Sequence, residues 1–105
     1  MTTINYANLA AGHSAGGVAT STAAVITVNL GFKPKFVQCV NIADRITIEH
    51  YGGMDAGKGV KTIAAGTRTY EAANCITINA NGFTIGTDAH LNPAGSKAIY
   101  FMAIG

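Results

Sequence analysis

Apolar residues in this chain recur in short segments separated by turn-forming residues, and this spacing restricts the fold more than any other feature. The segments start about ten residues apart, and several alternate apolar with polar positions, as half-buried strands do. Apolar positions at helical spacing are not sustained over any window of about a dozen residues, so we expect no long helix. About eight short strands predict an all-β protein. Among sandwich, jelly roll and small barrel, we favour an antiparallel two-sheet sandwich that is jelly-roll-like.

Eight segments show the strand pattern. They are Val25–Leu30, Phe36–Ile42, Arg45–Tyr51, Val60–Ala64, Arg68–Ala72, Cys75–Asn79, Phe83–Ile85 and Ala98–Ile104. Thr2–Leu9 alternates weakly and fits either a short edge strand or an extended arm. Asn81-Gly82 predicts a two-residue type I′ hairpin turn, which needs positive φ at both central positions. Gly86–Lys97 is rich in turn-forming residues and predicts a surface loop.

The closing segment Ala98–Ile104 is apolar on both faces, which is typical of a strand buried on both sides. We therefore expect this strand to lie at the structural centre of the domain. Tyr100 and Phe101 should point to opposite faces, because successive side chains alternate along a strand. One of them is then expected in the core, and the other against a second sheet or another subunit.

The 105 residues predict one domain with one core. We place this domain at residues 23–105, behind an N-terminal arm of residues 1–22. Within the arm, Ala10–Thr22 has small residues and no hydrophobic period, which predicts a loop or a segment lying on a neighbouring molecule. Only 11% of the residues are charged, against about 25% in an average protein, and the net charge is +2. A surface so poor in charge favours a homo-oligomer or a larger assembly.

Several classes of partner are disfavoured. The seven Lys and Arg residues are scattered, so we expect no nucleic-acid partner. Apolar runs all fall short of the roughly 20 residues that cross a bilayer, so we expect no membrane partner. The first residues do not form a secretory signal, so we expect synthesis in a cytoplasm. Cys39 and Cys75 can in principle pair, but we favour two reduced thiols buried in the core.

One segment resembles a hydrolase motif. Gly12–Gly16 matches G-x-S-x-G, the turn that exposes a nucleophilic serine in α/β-hydrolases. That turn follows a central strand and precedes a helix, whereas only eleven residues precede Gly12 and no helical pattern follows. Asp88 and His90 lie two residues apart on a loop without partners, and cannot fill separate acid and base positions. A small serine hydrolase using Ser14 is therefore a remote alternative, and we predict no catalytic residue.

Phosphate and metal sites are equally unsupported. Gly52–Gly59 nearly matches the phosphate-binding pattern G-x-x-x-x-G-K-[ST], but Gly59 replaces the hydroxyl residue and a strand-forming segment follows. His13, His50 and His90 lie in separate segments, without cysteines or carboxylates at metal-ligand spacing. We expect no metal and no cofactor. His50, on an apolar strand face, is expected to be a hydrogen-bonded core or interface residue.

Turn glycines, a turn proline and apolar strand positions form a recurring pattern between Gly31 and Gly105. The segments that carry it are Gly31–Val37 with Asn41, Asn81–Asp88 with Leu91 and Asn92, and Gly95 with Tyr100–Ala103. This pattern resembles a module of tailed-bacteriophage virion proteins. These positions are structural, so the resemblance implies a β-sandwich module and assigns no catalytic, cofactor-binding or metal-binding residue.

The resemblance implies two possible roles, and the short length of this chain favours one of them. Fibre proteins embed such modules in long chains, whereas here the module stands behind a short arm. The resemblance thus implies a capsid decoration or cement protein on the virion exterior, made in the host cytoplasm. Such a protein would bind its own copies and the major capsid protein, across neighbouring subunits. The alternative is a tail-fibre or tail-tip component that binds the host surface.

Overall fold

The computed structural model describes residues 2–5 and 14–105, and these residues form ten β-strands and no helix. The strands are β1 (Thr2–Asn5), β2 (Ser14–Thr20), β3 (Ile26–Asn29), β4 (Phe36–Asn41), β5 (Ile46–Tyr51), β6 (Gly59–Thr62), β7 (Arg68–Glu71), β8 (Ile76–Asn79), β9 (Gly82–Ile85) and β10 (Ala98–Ile104). The all-β class is confirmed. Each of the eight predicted segments contains a strand, with ends that differ by at most a few residues.

These strands form two sheets. One sheet has four strands in the order β1-β3-β9-β8, and the other has six in the order β2-β10-β4-β5-β6-β7. Neighbouring strands are antiparallel, except that β1 runs parallel to β3. Strands β4 to β7 follow one another in space as in sequence, because short connections favour antiparallel neighbours. Strand β10 instead inserts between β2 and β4, which are distant from it in sequence.

The core lies between the two sheets, as a sandwich requires. Ile26, Val28 and Leu30 are fully buried at alternate positions of the β3 segment, as predicted from their period of two. Phe83 of β9 meets Phe101 of β10 in an edge-to-face arrangement, with ring centroids 5.4 Å apart. This aromatic pair joins the inner faces of the two sheets, and the antiparallel two-sheet sandwich is confirmed.

The β8–β9 hairpin is present, but its turn differs from the predicted one. Asn79 pairs with Gly82, which leaves Ala80 and Asn81 as the turn residues, and Asn81 does not adopt a positive φ. The Asn81 N–H instead donates a 3.0 Å hydrogen bond to Asn79 Oδ1. Gly82 belongs to strand β9, where a Cβ atom would overlap the carbonyl oxygen of Val28 on β3. The glycine is therefore needed for close strand packing, and the predicted type I′ turn is wrong.

Residues 14–20 form an edge strand of the six-stranded sheet, although the sequence predicts a loop there. Strand β2 pairs with β10 along its whole length. Its buried positions are Ala15 and Ala19. Alanine and glycine differ little in hydrophobicity, so the alternation of buried and exposed positions along β2 cannot be recognised in the sequence. The loop prediction is wrong for this segment, and residues 6–13 of the predicted arm lie outside the described residues.

The predicted surface loop between β9 and β10 is anchored in the protein interior. Leu91 is fully buried and Asn92 is 1% exposed. The Asn92 amide nitrogen donates hydrogen bonds to the carbonyl oxygens of Ala24 and Gly86, at 2.7 and 2.9 Å. Its side-chain oxygen accepts a 2.8 Å hydrogen bond from the Thr22 N–H. These bonds tie the loop to the segment that precedes β3, so the loop lies on the surface only in part.

Candidate functional site

The outward side of the six-stranded sheet carries most of the large exposed hydrophobic side chains among the described residues. Side chains alternate along a strand, so the β10 residues between the core positions face outwards. The strand register then aligns three outward rows across the sheet. These rows are Ser14, Ile104, Phe36 and Tyr51; then Gly16, Met102, Gln38, Glu49, Val60 and Tyr70; and then Val18, Tyr100, Val40, Thr47, Thr62 and Arg68. We call this surface the apolar face.

The apolar face combines large exposed hydrophobic groups with very little charge. Eight large hydrophobic residues are exposed in the described part of the chain, and six of them lie on this face. These six are Val18, Tyr51, Tyr70, Tyr100, Met102 and Ile104, and they are between 42 and 60% exposed. The three rows contain one acidic and one basic residue, Glu49 and Arg68, whose Oε1 and Nη2 atoms lie 2.9 Å apart. The three rows are therefore largely apolar and carry no net charge, and the Lys58 Nζ atom lies beside them, 5.5 Å from the centroid of the Tyr70 ring.

The outward side of the four-stranded sheet has the opposite character. Thr27, Thr84 and Thr77 lie side by side across β3, β9 and β8. Asn29 and Asn79 occupy the neighbouring row, on either side of Gly82. The sandwich thus presents one hydroxyl-rich and amide-rich side and one apolar side. Contiguous exposed apolar surface marks an interaction site in soluble proteins.

Strand β10 is not buried on both faces, contrary to the prediction. Phe101 is 5% exposed and faces the core, whereas Tyr100 is 51% exposed and faces outwards. Their predicted opposite orientation is confirmed. Sequence reasoning missed the extent of the apolar face because the pattern of β10 shows only that both of its sides are apolar. That pattern does not show whether an apolar side of the strand is buried by the rest of the chain or exposed to a partner.

A buried lysine forms the centre of a polar cluster on the inner side of β6. Lys61 is 8% exposed. Its Nζ atom lies 3.0 Å from Asp88 Oδ2, 2.9 Å from His90 Nδ1 and 3.9 Å from Glu71 Oε1. The backbone N–H groups of His90 and Leu91 donate to Asp88 Oδ1. The expectation that Asp88 and His90 lack partners is wrong, because both contact this lysine, which lies far from them in sequence.

The Asp88 carboxyl group is held in its ionised form. Burial opposes ionisation, but the hydrogen bonds from Lys61 and from two backbone N–H groups outweigh it, so the pKa of Asp88 lies below its usual value. His90 Nδ1 faces the Lys61 ammonium group and therefore accepts its hydrogen bond, which places the ring proton on Nε2. The cluster binds strand β6 to the loop after β9, and its observed contacts serve to hold the fold together.

The two segments that resemble enzyme motifs lie in other structural contexts. Ser14 is exposed at the start of edge strand β2, whereas a nucleophile elbow is a turn between a strand and a helix. Gly52–Gly59 connects β5 to β6, and Gly59 itself begins β6. A phosphate site of this type requires a helix at that position. Neither segment has the geometry of the site that it resembles.

His50 is a buried, hydrogen-bonded residue, as predicted. It is 1% exposed, and its Nδ1 atom lies 2.7 Å from the Lys58 carbonyl oxygen. His50 also lines a half-open cleft of about 750 Å³, together with Lys33, Lys35 and Ile78 among others. The described residues that line this cleft include two lysines and no carboxylate.

The structure gives no candidate metal centre in the part of the chain that it describes. Groups of three or more His, Cys, Asp or Glu side chains placed to hold an ion are absent from those residues. His13 lies outside them. Within the same residues, the structure contains no helix of the length and apolarity that would cross a membrane.

Comparison with known proteins gives no match to a family model, to a curated protein or to a solved structure.

Both cysteines are unpaired and buried, as predicted. Burial raises the pKa of the Cys39 thiol far above its usual value, and it raises the pKa of the Cys75 thiol to about 12. The thiolate is the reactive form. We therefore expect neither thiol to react with Ellman's reagent in the folded protein near neutral pH, and both to react after unfolding in guanidinium chloride. Rapid colour formation in native buffer would contradict the burial of these side chains.

Proposed function

We propose that this chain is a non-enzymatic structural protein of a tailed-bacteriophage virion. It decorates the exterior of the capsid and stabilises the contacts between neighbouring major capsid subunits. The observation that carries this proposal is the apolar face, with six large hydrophobic side chains exposed on one sheet. Surfaces of this kind serve protein association rather than catalysis. The resemblance of residues 31–105 to phage virion modules supplies the class of assembly.

The fold is suited to such a role because a sandwich supports a broad surface rigidly. The core packs both sheets together, and the described residues leave no buried side-chain nitrogen or oxygen without a hydrogen-bond partner. A rigid support reduces the entropy lost when the surface binds. Repetition of the contact over a symmetric capsid would strengthen a weak individual interaction.

The end of the six-stranded sheet offers a second mode of attachment. Strand β2 is the first strand in the order of this sheet, so one side of its backbone has no strand partner among the described residues. Such an edge can accept a strand from a neighbouring protein. Gly16 and Gly17 lie on this edge and have no side chains that would obstruct an approaching backbone. Strand addition at β2 is thus a contact through which this protein can bind a capsid subunit independently of the apolar face.

Quantitative mass spectrometry of purified virions tests the proposal. A decoration protein occupies every equivalent position of the capsid, so we expect hundreds of copies per virion. The matched control is the major capsid protein of the same preparation, which gives the number of capsid positions. A count of about a dozen would instead support the tail component, which occupies one symmetry axis. Absence from virions would overturn the proposal in both forms.

A further inference from the structure

We infer that the apolar face binds the apolar face of a second copy of this chain, so that two sandwiches pack sheet against sheet. This inference deepens the proposed function, because it names the partner of the surface on which that function rests. The capsid is then contacted by other parts of the molecule, including the open edge of β2. Three properties of the apolar face indicate that it binds a second copy of the chain. These are its charge, its chemical pattern and its area.

The charge of the face favours its own copy. Glu49 and Arg68 neutralise each other through a 2.9 Å contact, and the three rows contain no other charged residue. Like charges brought together across an interface cost several kcal/mol, and a neutral face avoids that cost when it meets itself. Beside the rows, the Lys58 ammonium group lies 5.5 Å from the centroid of the Tyr70 ring, so a second copy must also accommodate this cation.

The apolar members of the rows resemble the residues inside a sandwich. Tyr100 lies between Val18 and Val40 in one row, and Ile104 lies beside Phe36 in another. Phe36 in turn contacts Tyr51, with ring centroids 5.1 Å apart. These are the β-branched and aromatic neighbours that stabilise packed sheets. Two such faces can therefore pack in the aligned manner of sandwich sheets, about 10 Å apart.

The area of the face is sufficient for a stable dimer. Six strands at a spacing of about 4.8 Å span about 24 Å. Strands β2, β10, β4 and β5 have six or seven residues and are about 20 Å long, whereas β6 and β7 have four residues and are about 13 Å long. The projected area is therefore about 500 Å² per copy, and protruding side chains add to the accessible area. Two copies would bury about 1,000 Å² or more, which meets the lower limit of about 1,000 Å² for a specific interface and exceeds most adventitious contacts.

Sedimentation equilibrium of the purified chain tests this inference. We expect a species of twice the 10.7 kDa chain mass at micromolar concentration. Met102 is 44% exposed and lies in the middle row of the face. Replacing it (Met102→Glu) places a charge without a partner in the interface, so the dimer dissociation constant should rise at least about 100-fold.

The matched control carries the same substitution on the opposite side of the sandwich. Thr77→Glu changes an outward position of edge strand β8, and it should leave the dimer intact. Circular dichroism verifies that both variants fold. Should Met102→Glu fail to fold, Tyr100→Gln removes an exposed aromatic group without adding charge and should weaken the dimer about tenfold.

The experiments test the dimer and the proposed function independently of each other. A wild-type monomer, or equal weakening by Met102→Glu and Thr77→Glu, would overturn the dimer inference. If that monomer were nevertheless abundant in virions, the proposed function would stand and the face would bind a capsid subunit instead. A stable dimer that is absent from virions would leave the inference intact and overturn the function.

Discussion

Replacement of Gly82 with alanine is expected to lower the free energy of unfolding by about 3 kcal/mol or more, a large part of the stability of a small domain. A Cβ atom at this position would overlap the carbonyl oxygen of Val28 and lie 3.1 Å from the backbone nitrogen of Leu30. Both are backbone atoms of the neighbouring chain segment. Relief of the overlap therefore requires β3 and β9 to separate, which breaks the register of the four-stranded sheet.

Urea unfolding monitored by circular dichroism measures this loss. The control variant is Gly66→Ala, because Gly66 has a φ of 91° but no atom within 4 Å of the point that a Cβ atom would occupy. That variant suffers only from an unfavourable backbone conformation, which costs about 1 to 2 kcal/mol. Equal losses in the two variants would show that the overlap between β3 and β9 is not what makes Gly82 necessary.

The second large effect is expected for Asp88→Asn. Asparagine retains the side-chain oxygen that accepts the His90 and Leu91 N–H groups, but it removes the charge that balances Lys61. The ammonium group then stays buried, with Glu71 at 3.9 Å as its remaining acidic neighbour. Loss of one partner from a buried ion pair costs about 3 to 5 kcal/mol, and we expect a value near the lower limit because Glu71 remains.

A pH series identifies the charge as the source of this effect. The pKa of Asp88 is lowered in the folded protein, so its contribution is fully present above the usual carboxyl pKa, near 4. It is lost as the pH falls below that value. The difference between wild type and Asp88→Asn should therefore stay constant from neutral pH down to about pH 5, and it should shrink as the pH falls below about 4.

The control for this series is Asp44→Asn. This substitution breaks a 2.8 Å pair with Lys97 that is accessible to solvent, so its effect on stability should be much smaller than that of Asp88→Asn. The Lys97 hydrogen bond lowers the pKa of Asp44 as well, so this small effect should also decline at acidic pH. If the stability difference between wild type and Asp88→Asn stays constant over the pH series, the loss comes from side-chain packing and not from the charge.

The sequence predicted most of the fold because the signals that define it are local. The alternation in Ile46, Ile48 and His50, for example, predicts which side of β5 is buried, and all three residues are buried. The same reasoning failed for residues 14–20, where Ala and Gly occupy the strand. It also failed at Gly82, because what matters there is the distance to a strand that lies more than fifty residues earlier in the chain.

The candidate site depends still more on long-range pairing. The apolar face takes its rows from six strands, and one of its members, Val18, lies in a segment that the sequence does not identify as a strand. The Lys61 cluster joins residues 27 and 29 positions apart. In both cases the chemistry of each residue is visible in the sequence, but the partner is defined only by the topology.

The position of β10 between β2 and β4 has a consequence for how the protein reaches this fold. The β4–β7 meander and the β8–β9 hairpin need only neighbouring segments, and they can form early. Strand β2 has no place in its sheet until Ala98–Ile104 is available to pair with both β2 and β4. Closure of this long-range pairing should limit the folding rate to the millisecond-to-second range typical of all-β domains. During that interval the unpaired edge of β4 is open to other chains, so concentrated refolding should favour aggregates that dilute refolding avoids.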